Sequence, residues 1–218
     1  YTREELTALA AVLLAHPEVL VLSDDRYEHL TFDGLAFHTL AQVEPRLRPR
    51  TLTVNGVSQA YAMAGWRIGF ATGPRGVLEA MTGLQAQQTA GACSISQFAA
   101  MAALDGPTDC LVETRRVLQQ RRDKVVAWLN RAPGLSCRVP SGAFYVFASC
   151  KGLIGRFSPA GRRLASDEDV AEALLAEAGV AVVHGSAFGL AGYLRISYAV
   201  DDAELARGCE AIIRFCAS

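Results

Sequence analysis

The sequence lacks the features that mark membrane, secreted and nucleic-acid-binding proteins. No apolar run approaches the roughly 18–20 residues that a membrane-spanning helix needs, and the most apolar stretch, residues 6–14, is too short. No secretory or targeting segment follows Tyr1. Neither sign of charge dominates, because 21 basic and 22 acidic residues give a formal net charge of -1. We therefore expect neither a membrane nor a nucleic-acid partner.

Cysteine and histidine are too scattered to predict a metal site. The six cysteines form no CxxC pair, and no histidine lies near them at zinc-ligand spacing. The acidic turn at residues 24–28 also lacks a histidine at a useful spacing, so we predict no bound metal. An even cysteine count permits disulfides, but a chain of ordinary hydrophobicity favours buried free thiols and a cytoplasmic location.

What remains is the composition of an ordinary folded domain. The chain has 218 residues, of which 51% are hydrophobic and 20% charged, enough for one large domain or two small ones. Thr2 and Glu5 form a capping box ahead of a helical pattern over residues 2–16. Short apolar runs that alternate with helical segments predict strands; they lie at residues 19–22, 52–54 and 68–71. This pattern predicts an α/β fold with part of a mixed, mostly parallel sheet and flanking helices, the first strand being buried.

The pattern of predicted secondary structure changes near residue 109. A long arginine-rich amphipathic helix is predicted over residues 111–132, and residues 151–165 read as an exposed loop. The remaining predicted elements are short strands and helices, at residues 143–148, 167–178, 180–183, 193–198 and 201–216. We therefore predict two domains, 1–110 and 111–218, the second a small α+β domain.

Two clusters of polar residues follow predicted strands of the first domain. Asp24 and Tyr27 come just after the first strand, at the sheet edge where open α/β proteins bind ligands. Ser58 ends a glycine-containing turn at residues 55–58, and Arg67 follows within ten residues; the hydroxyl and the guanidinium suit an anion such as phosphate. Each cluster also has a structural interpretation, namely a turn-capping aspartate, a packed tyrosine and a strand-entry arginine.

The motif at residues 55–69, NGVSQAYAMAGWRIG, resembles the signature of class I, fold-type-I, pyridoxal-phosphate-dependent aminotransferases. Four more motifs follow the order of that family, at residues 23–27, 141–145, 185–189 and 194–198. The resemblance covers essentially the whole chain and is closest to the aspartate and aromatic aminotransferase branch. It implies that residues 1–110 are the second half of the cofactor-binding large domain and that residues 111–218 are the small C-terminal domain.

The resemblance also implies a role for each matching position. Asp24 would pair with the pyridine nitrogen of pyridoxal 5′-phosphate, and Tyr27 would hydrogen-bond its 3-oxygen. Ser58 and Arg67 would hold the phosphate. Arg195 would bind the α-carboxylate of the substrate, an amino acid or a 2-oxo acid. A homodimer is expected on the same ground.

Gln59 departs from the family at the position of the Schiff-base lysine. A lysine amine acts there as nucleophile and as acid–base group, whereas the nitrogen of a carboxamide does neither. We therefore expect any pyridoxal 5′-phosphate to be held without a covalent bond. The chain as written should be inactive or a very weak transaminase.

The chain also matches only the later part of the family's pattern. In the family, the earlier part supplies further phosphate contacts and a ring that stacks on the cofactor. We expect that the chain is cut from something longer and exposes apolar faces. Two other readings stay open: a non-catalytic, regulatory pyridoxal-phosphate-binding homologue, and a carbon–sulfur lyase of the same fold type.

Overall fold

The computed structural model describes residues 1–218 and divides them into two compact units, Tyr1–Arg115 and Arg116–Ser218. The division falls inside a long helix, α5 (Asp109–Leu129), shortly after the predicted division at residue 110. Each unit has its own sheet and helices. The predicted α/β class with a mixed sheet is confirmed.

The first unit contains a three-stranded sheet in the order β1-β2-β3. The strands are β1 (Val21–Asp24), β2 (Thr51–Gly56) and β3 (Gly69–Thr72). Strands β1 and β2 are parallel and β2 and β3 are antiparallel, so the sheet has one pairing of each kind. The parallel pairing brings the last residue of β1, Asp24, beside Val54, near the end of β2.

The helices of the first unit were predicted only where a capping motif or a periodic pattern marks them. The capping box predicted at Thr2 and Glu5 is present, and helix α1 (Arg3–Ala15) begins directly after it. Helix α4 (Ser94–Asp105) was not predicted, because its N-cap, Cys93, makes no side-chain capping bond that would mark a start. The other helices are α2 (Leu40–Val43) and α3 (Arg75–Gln88), with 3-10 turns at Pro45–Arg50 and Ala64–Trp66.

The apolar residues of the first strand are not buried, contrary to the prediction. Leu20 is 69% exposed and Leu22 is 65% exposed. One buried core cluster of this unit lies instead at α1 and α2, around Leu6, Leu40 and Leu47. Exposed apolar faces were expected for part of a larger sheet.

The second unit is built on an antiparallel sheet in the order β4-β5-β7-β6. The strands are β4 (Ser136–Cys137), β5 (Tyr145–Ser149), β6 (Val183–His184) and β7 (Tyr193–Ser197). Alternate residues of β5 and β7, such as Val146 and Leu194, point into the core. Helices α6 (Asp167–Ala178) and α7 (Asp202–Ala217) complete the unit.

The loop over residues 151–165 is only partly exposed, which corrects the prediction. Leu153, Ser158 and Leu164 are buried. The hydroxyl of Ser158 donates a hydrogen bond of 2.6 Å to Glu177 Oε1, which ties the loop to helix α6. A loop that pins its own polar groups in this way can cover part of a core.

All six cysteines are free thiols. Four are buried, as predicted, but two are exposed, so burial was wrongly predicted for Cys93 and Cys110. The buried thiols are Cys137, Cys150, Cys209 and Cys216.

No helix has the length and apolarity needed to cross a membrane. No group of three or more histidine, cysteine and acidic side chains is arranged to hold a metal ion.

Candidate functional site

A cavity of about 920 Å³ opens at the carboxyl ends of β1 and β2 in the first unit. Asp24, Ser58, Gln59 and Arg67, four residues singled out in the sequence, line this cavity. Arg26 lines it as well. The volume lies within the range of about 300–1,000 Å³ that is usual for small-molecule sites.

Asp24 is paired with its neighbour Arg26. Arg26 Nε donates to Asp24 Oδ1 at 2.7 Å, and Nη2 donates to Oδ2 at 2.6 Å. These hydrogen bonds hold the pKa of Asp24 below its ordinary value. The carboxylate at the cavity is therefore ionised at neutral pH.

The turn after β1 is tied to the end of β2 by two contacts. Asn55 Nδ2 donates to Glu28 Oε1 at 2.7 Å, and the backbone N–H of Asp25 donates to the carbonyl of Val54 at 2.9 Å. Tyr27 lies in this turn and is half-buried, but it is not among the residues that line the cavity. These contacts fix Asp24 relative to the segment that begins at Asn55.

The segment after β2 carries the other lining residues. Gln59 is half-buried, and its Oε1 is buried without a hydrogen-bond partner. Such an acceptor is destabilising unless another group donates to it. Arg67 has a left-handed backbone (φ 51°), and its Nη1 donates to the carbonyl of Ala64 at 3.0 Å. This conformation ends the 3-10 turn and leaves the exposed guanidinium at the cavity.

The donor set suits an aromatic phosphate ester with a basic ring nitrogen. A hydroxyl and a guanidinium, from Ser58 and Arg67, are groups that bind phosphate oxygens. An ionised carboxylate, from Asp24, is the group that keeps a ring nitrogen protonated. The residues present therefore fit pyridoxal 5′-phosphate, with the exception of Gln59, which provides no amine.

Arg195 lies in the second unit, on strand β7, between two aromatic rings. Its Cζ is 4.7 Å from the ring centroid of Tyr145 and 4.6 Å from that of Phe188. Its Nε is buried and has no hydrogen-bond partner. The rings hold the guanidinium by cation–π contact, and the buried Nε–H donor is left without a partner.

The two rings come from different parts of the second unit. Tyr145 begins β5, which pairs with β7, and Phe188 ends the 3-10 turn Gly185–Phe188. Gly185 has no room for a side chain, because a Cβ there would collide with the carbonyl oxygen of Leu190. His184 ends β6, directly before this turn.

Sequence reasoning missed three of these residues as parts of a site. Tyr145 and Phe188 lie in motifs that were recognised at residues 141–145 and 185–189, yet neither received a role. An aromatic residue in each motif was the available signal. Arg26 was overlooked although it stands two residues after Asp24, a spacing that allows a bidentate pair.

Comparison with known proteins matches the chain to one family. The family model described as aminotransferase class I and II matches residues 1–212. A probable aspartate/prephenate aminotransferase of Rhizobium leguminosarum bv. phaseoli is 54% identical over 216 residues, covering 99% of this chain and 54% of that protein. The aspartate/prephenate aminotransferase of Cereibacter sphaeroides is 53% identical over 217 residues, which cover 100% of this chain and 54% of that protein.

Solved structures show the same similarity. The crystal structure of the aspartate aminotransferase from Rhizobium meliloti has a TM-score of 0.95 and 52% identity, covering 100% of this chain and 54% of that one. The aspartate aminotransferase from Thermus thermophilus with maleate has a TM-score of 0.84 and 36% identity, and the match covers 99% of this chain and 53% of that one. The chain thus spans about half the length of the relatives it matches.

Proposed function

This chain belongs to the class I and II aminotransferase family, and from that premise we propose that it holds pyridoxal 5′-phosphate, the cofactor of this family, without a covalent bond. The observation that carries the proposal is that Asp24, Ser58 and Arg67 line one cavity. The activity proposed for the whole protein is amino-group transfer from an amino acid to a 2-oxo acid. The names of the relatives favour aspartate and prephenate as the substrates.

Each residue has a defined task in this proposal. Ser58 and Arg67 bind the phosphate, and Asp24 pairs with the ring nitrogen. Tyr27 does not line the cavity, and its hydrogen bond to the 3-oxygen is proposed by likeness to the family alone. The bound cofactor supplies an electron sink for the substrate carbon that loses its proton. Arg195 binds the substrate α-carboxylate through its guanidinium, which the two rings already orient.

Gln59 limits what the chain can do. Its amide nitrogen is neither basic nor nucleophilic, so it cannot bond to the cofactor or carry the substrate proton. A positioned acid–base group contributes on the order of 10²–10⁴ in rate. We infer that the cofactor binds reversibly and that amino-group transfer by this chain is slow or absent.

A second candidate is a non-catalytic protein that binds pyridoxal 5′-phosphate for a regulatory purpose. Gln59 favours it, because a binding protein has no need of the lysine. A cytoplasmic location and a homodimer are proposed in either case, by likeness to the family.

The state of the bound cofactor tests the first part of the proposal. The chain is titrated with pyridoxal 5′-phosphate, treated with borohydride and passed through a denaturing gel-filtration column. We expect cofactor to bind and then to be lost on denaturation. The variant Gln59→Lys should retain it, while Gln87→Lys, an exposed position on α3, should not. Absence of binding, or retention by the unaltered chain, contradicts the proposal.

Product analysis separates the candidate activities. Gln59→Lys is supplied with aspartate and a 2-oxo acid, and in a separate reaction with a sulfur-containing amino acid, and the products of both reactions are identified. A new amino acid together with a new 2-oxo acid supports amino-group transfer. Ammonia with pyruvate from a sulfur-containing amino acid supports a carbon–sulfur lyase. Binding without turnover, even with the lysine restored, favours the non-catalytic protein.

A further inference from the structure

A buried carboxylate in the second unit anchors the turn that carries Phe188. Asp167, the first residue of α6, is only 2% exposed. Its Oδ2 accepts a hydrogen bond of 2.8 Å from the backbone N–H of Ser186, and its Oδ1 accepts one of 2.6 Å from the Ser186 hydroxyl. Burial by itself raises the pKa of Asp167, but the hydrogen bonds from Ser186 and from backbone N–H groups outweigh it and lower the pKa.

The turn anchored by Asp167 is closed by its own backbone hydrogen bonds. The Gly189 N–H donates to the carbonyl of Ser186 at 3.0 Å, and the Leu190 N–H donates to the carbonyl of Gly185 at 3.1 Å. The space at Gly185 admits no side chain. These bonds link the position of Ser186 to the rest of the turn.

Phe188, at the end of this turn, depends on the turn for its position. Its side chain is 49% exposed, so packing in the core does not hold it. One ring edge meets Phe147 at a centroid distance of 6.3 Å, and the ring covers the guanidinium of Arg195. The ring stays over Arg195 because the backbone of the turn places it there.

Arg195 in turn lacks the hydrogen bond that would orient it directly. Its Nε has no partner, so contacts with the rings of Tyr145 and Phe188 set the plane of the guanidinium. Tyr145 belongs to a strand of the sheet, whereas Phe188 belongs to the anchored turn. The position of Phe188, unlike that of Tyr145, therefore depends on the contacts that anchor the turn.

We propose that Asp167 and Ser186 are positioning residues for Arg195: by fixing the turn, they keep Phe188 stacked on the guanidinium in the orientation that receives a carboxylate. The carboxylate part rests on the proposed function of Arg195. The stacking part concerns this chain alone and needs no ligand.

The test is the proton shift of the Arg195 Nε–H, measured by NMR in the chain without ligand. Stacked rings displace this resonance upfield, and Arg195→Lys identifies it by its loss. In Ser186→Ala we expect the resonance to move toward the position of an exposed arginine. With pyridoxal 5′-phosphate added, the affinity of Ser186→Ala for maleate should be about three- to tenfold lower than that of the unaltered chain. This is the change expected from the loss of one cation–π contact.

Two variants separate positioning from general destabilisation. Ser186→Thr keeps the hydroxyl and should keep the upfield shift. Ser158→Ala removes a comparable hydroxyl–carboxylate bond, from Ser158 to Glu177 on the same helix, and should leave the Arg195 resonance in place.

The outcomes distinguish this inference from the proposed function. An unchanged Nε–H shift in Ser186→Ala overturns the inference, and so does an equal movement in Ser158→Ala. If Arg195→Lys leaves maleate affinity unchanged, the proposed carboxylate role of Arg195 fails, and the carboxylate part of the inference fails with it. The resonance then still decides whether Asp167 and Ser186 position the guanidinium.

Discussion

Arg26 engages both carboxylate oxygens of Asp24, with Nε 2.7 Å from Oδ1 and Nη2 2.6 Å from Oδ2. The side chains are 44% and 43% exposed, so the pair contributes at most about 1 kcal/mol to the free energy of unfolding. Asp24 is the carboxylate proposed to face the cofactor ring. Arg26 therefore keeps Asp24 ionised and also competes with a ring nitrogen for it.

Replacing Arg26 should tighten cofactor binding. We expect Arg26→Met to lower the dissociation constant for pyridoxal 5′-phosphate by about two- to fivefold, because the competing pair is lost. The measurement is an absorbance titration near pH 7. Arg46→Met is the matched control, since Arg46 forms the same kind of pair with Glu44 away from the cavity. Equal affinities in the two variants would refute the competition.

Removing the Asp167 carboxylate should destabilise the chain in a pH-dependent way. A carboxylate with a lowered folded-state pKa stabilises the protein above the unfolded-state pKa, about 3.9 for aspartate, and the stabilisation is lost as pH falls. Asp167→Asn should therefore lower the free energy of unfolding at about pH 7 and make less difference at about pH 3. Urea unfolding at both pH values measures this. A constant difference between variant and parent would argue against the charge.

The start of α7 depends on one side chain. Asp201 Oδ1 accepts hydrogen bonds from the N–H groups of Ala203 and Glu204, at 3.0 and 2.9 Å. We expect Asp201→Ala to reduce the free energy of unfolding by about 0.5–2 kcal/mol and Asp201→Asn to retain most of it. Urea unfolding at neutral pH distinguishes the two. Equal losses in both variants would mean that the charge, rather than the cap, stabilises the helix.

Thiol reactivity should divide the cysteines into two groups. Hydrogen bonds from the backbone N–H groups of Ser96 and Ile95 and from the Ser96 side chain lower the pKa of exposed Cys93, whereas burial raises that of Cys137 to about 11 and that of Cys150 to about 12. Two thiols of the native chain should react with an aromatic disulfide reagent, Cys93 faster than Cys110. Cys93→Ser should abolish the fast phase. Four or more fast thiols in the native chain would contradict the structure.

Several features of the fold follow from residues that are close together along the chain. The capping box at Thr2 placed the start of α1, and the pattern over residues 167–178 gave both ends of α6. The motif at residues 55–69 brought Ser58 and Arg67 together, and the strand before Asp24 put that carboxylate at the sheet edge. Caps, periodicity and strand ends are set within a few residues, so one sequence suffices to read them.

Other features join segments that are distant along the chain, and the folded structure is needed to see them. The stacking of Tyr145 and Phe188 on Arg195 depends on strand pairing and on a turn anchored to α6. The exposure of Leu22 depends on which elements pack on the sheet, and an apolar run reads the same whether it is covered or not. Burial and ring contacts arise from chain segments far apart in sequence, so no local pattern encodes them.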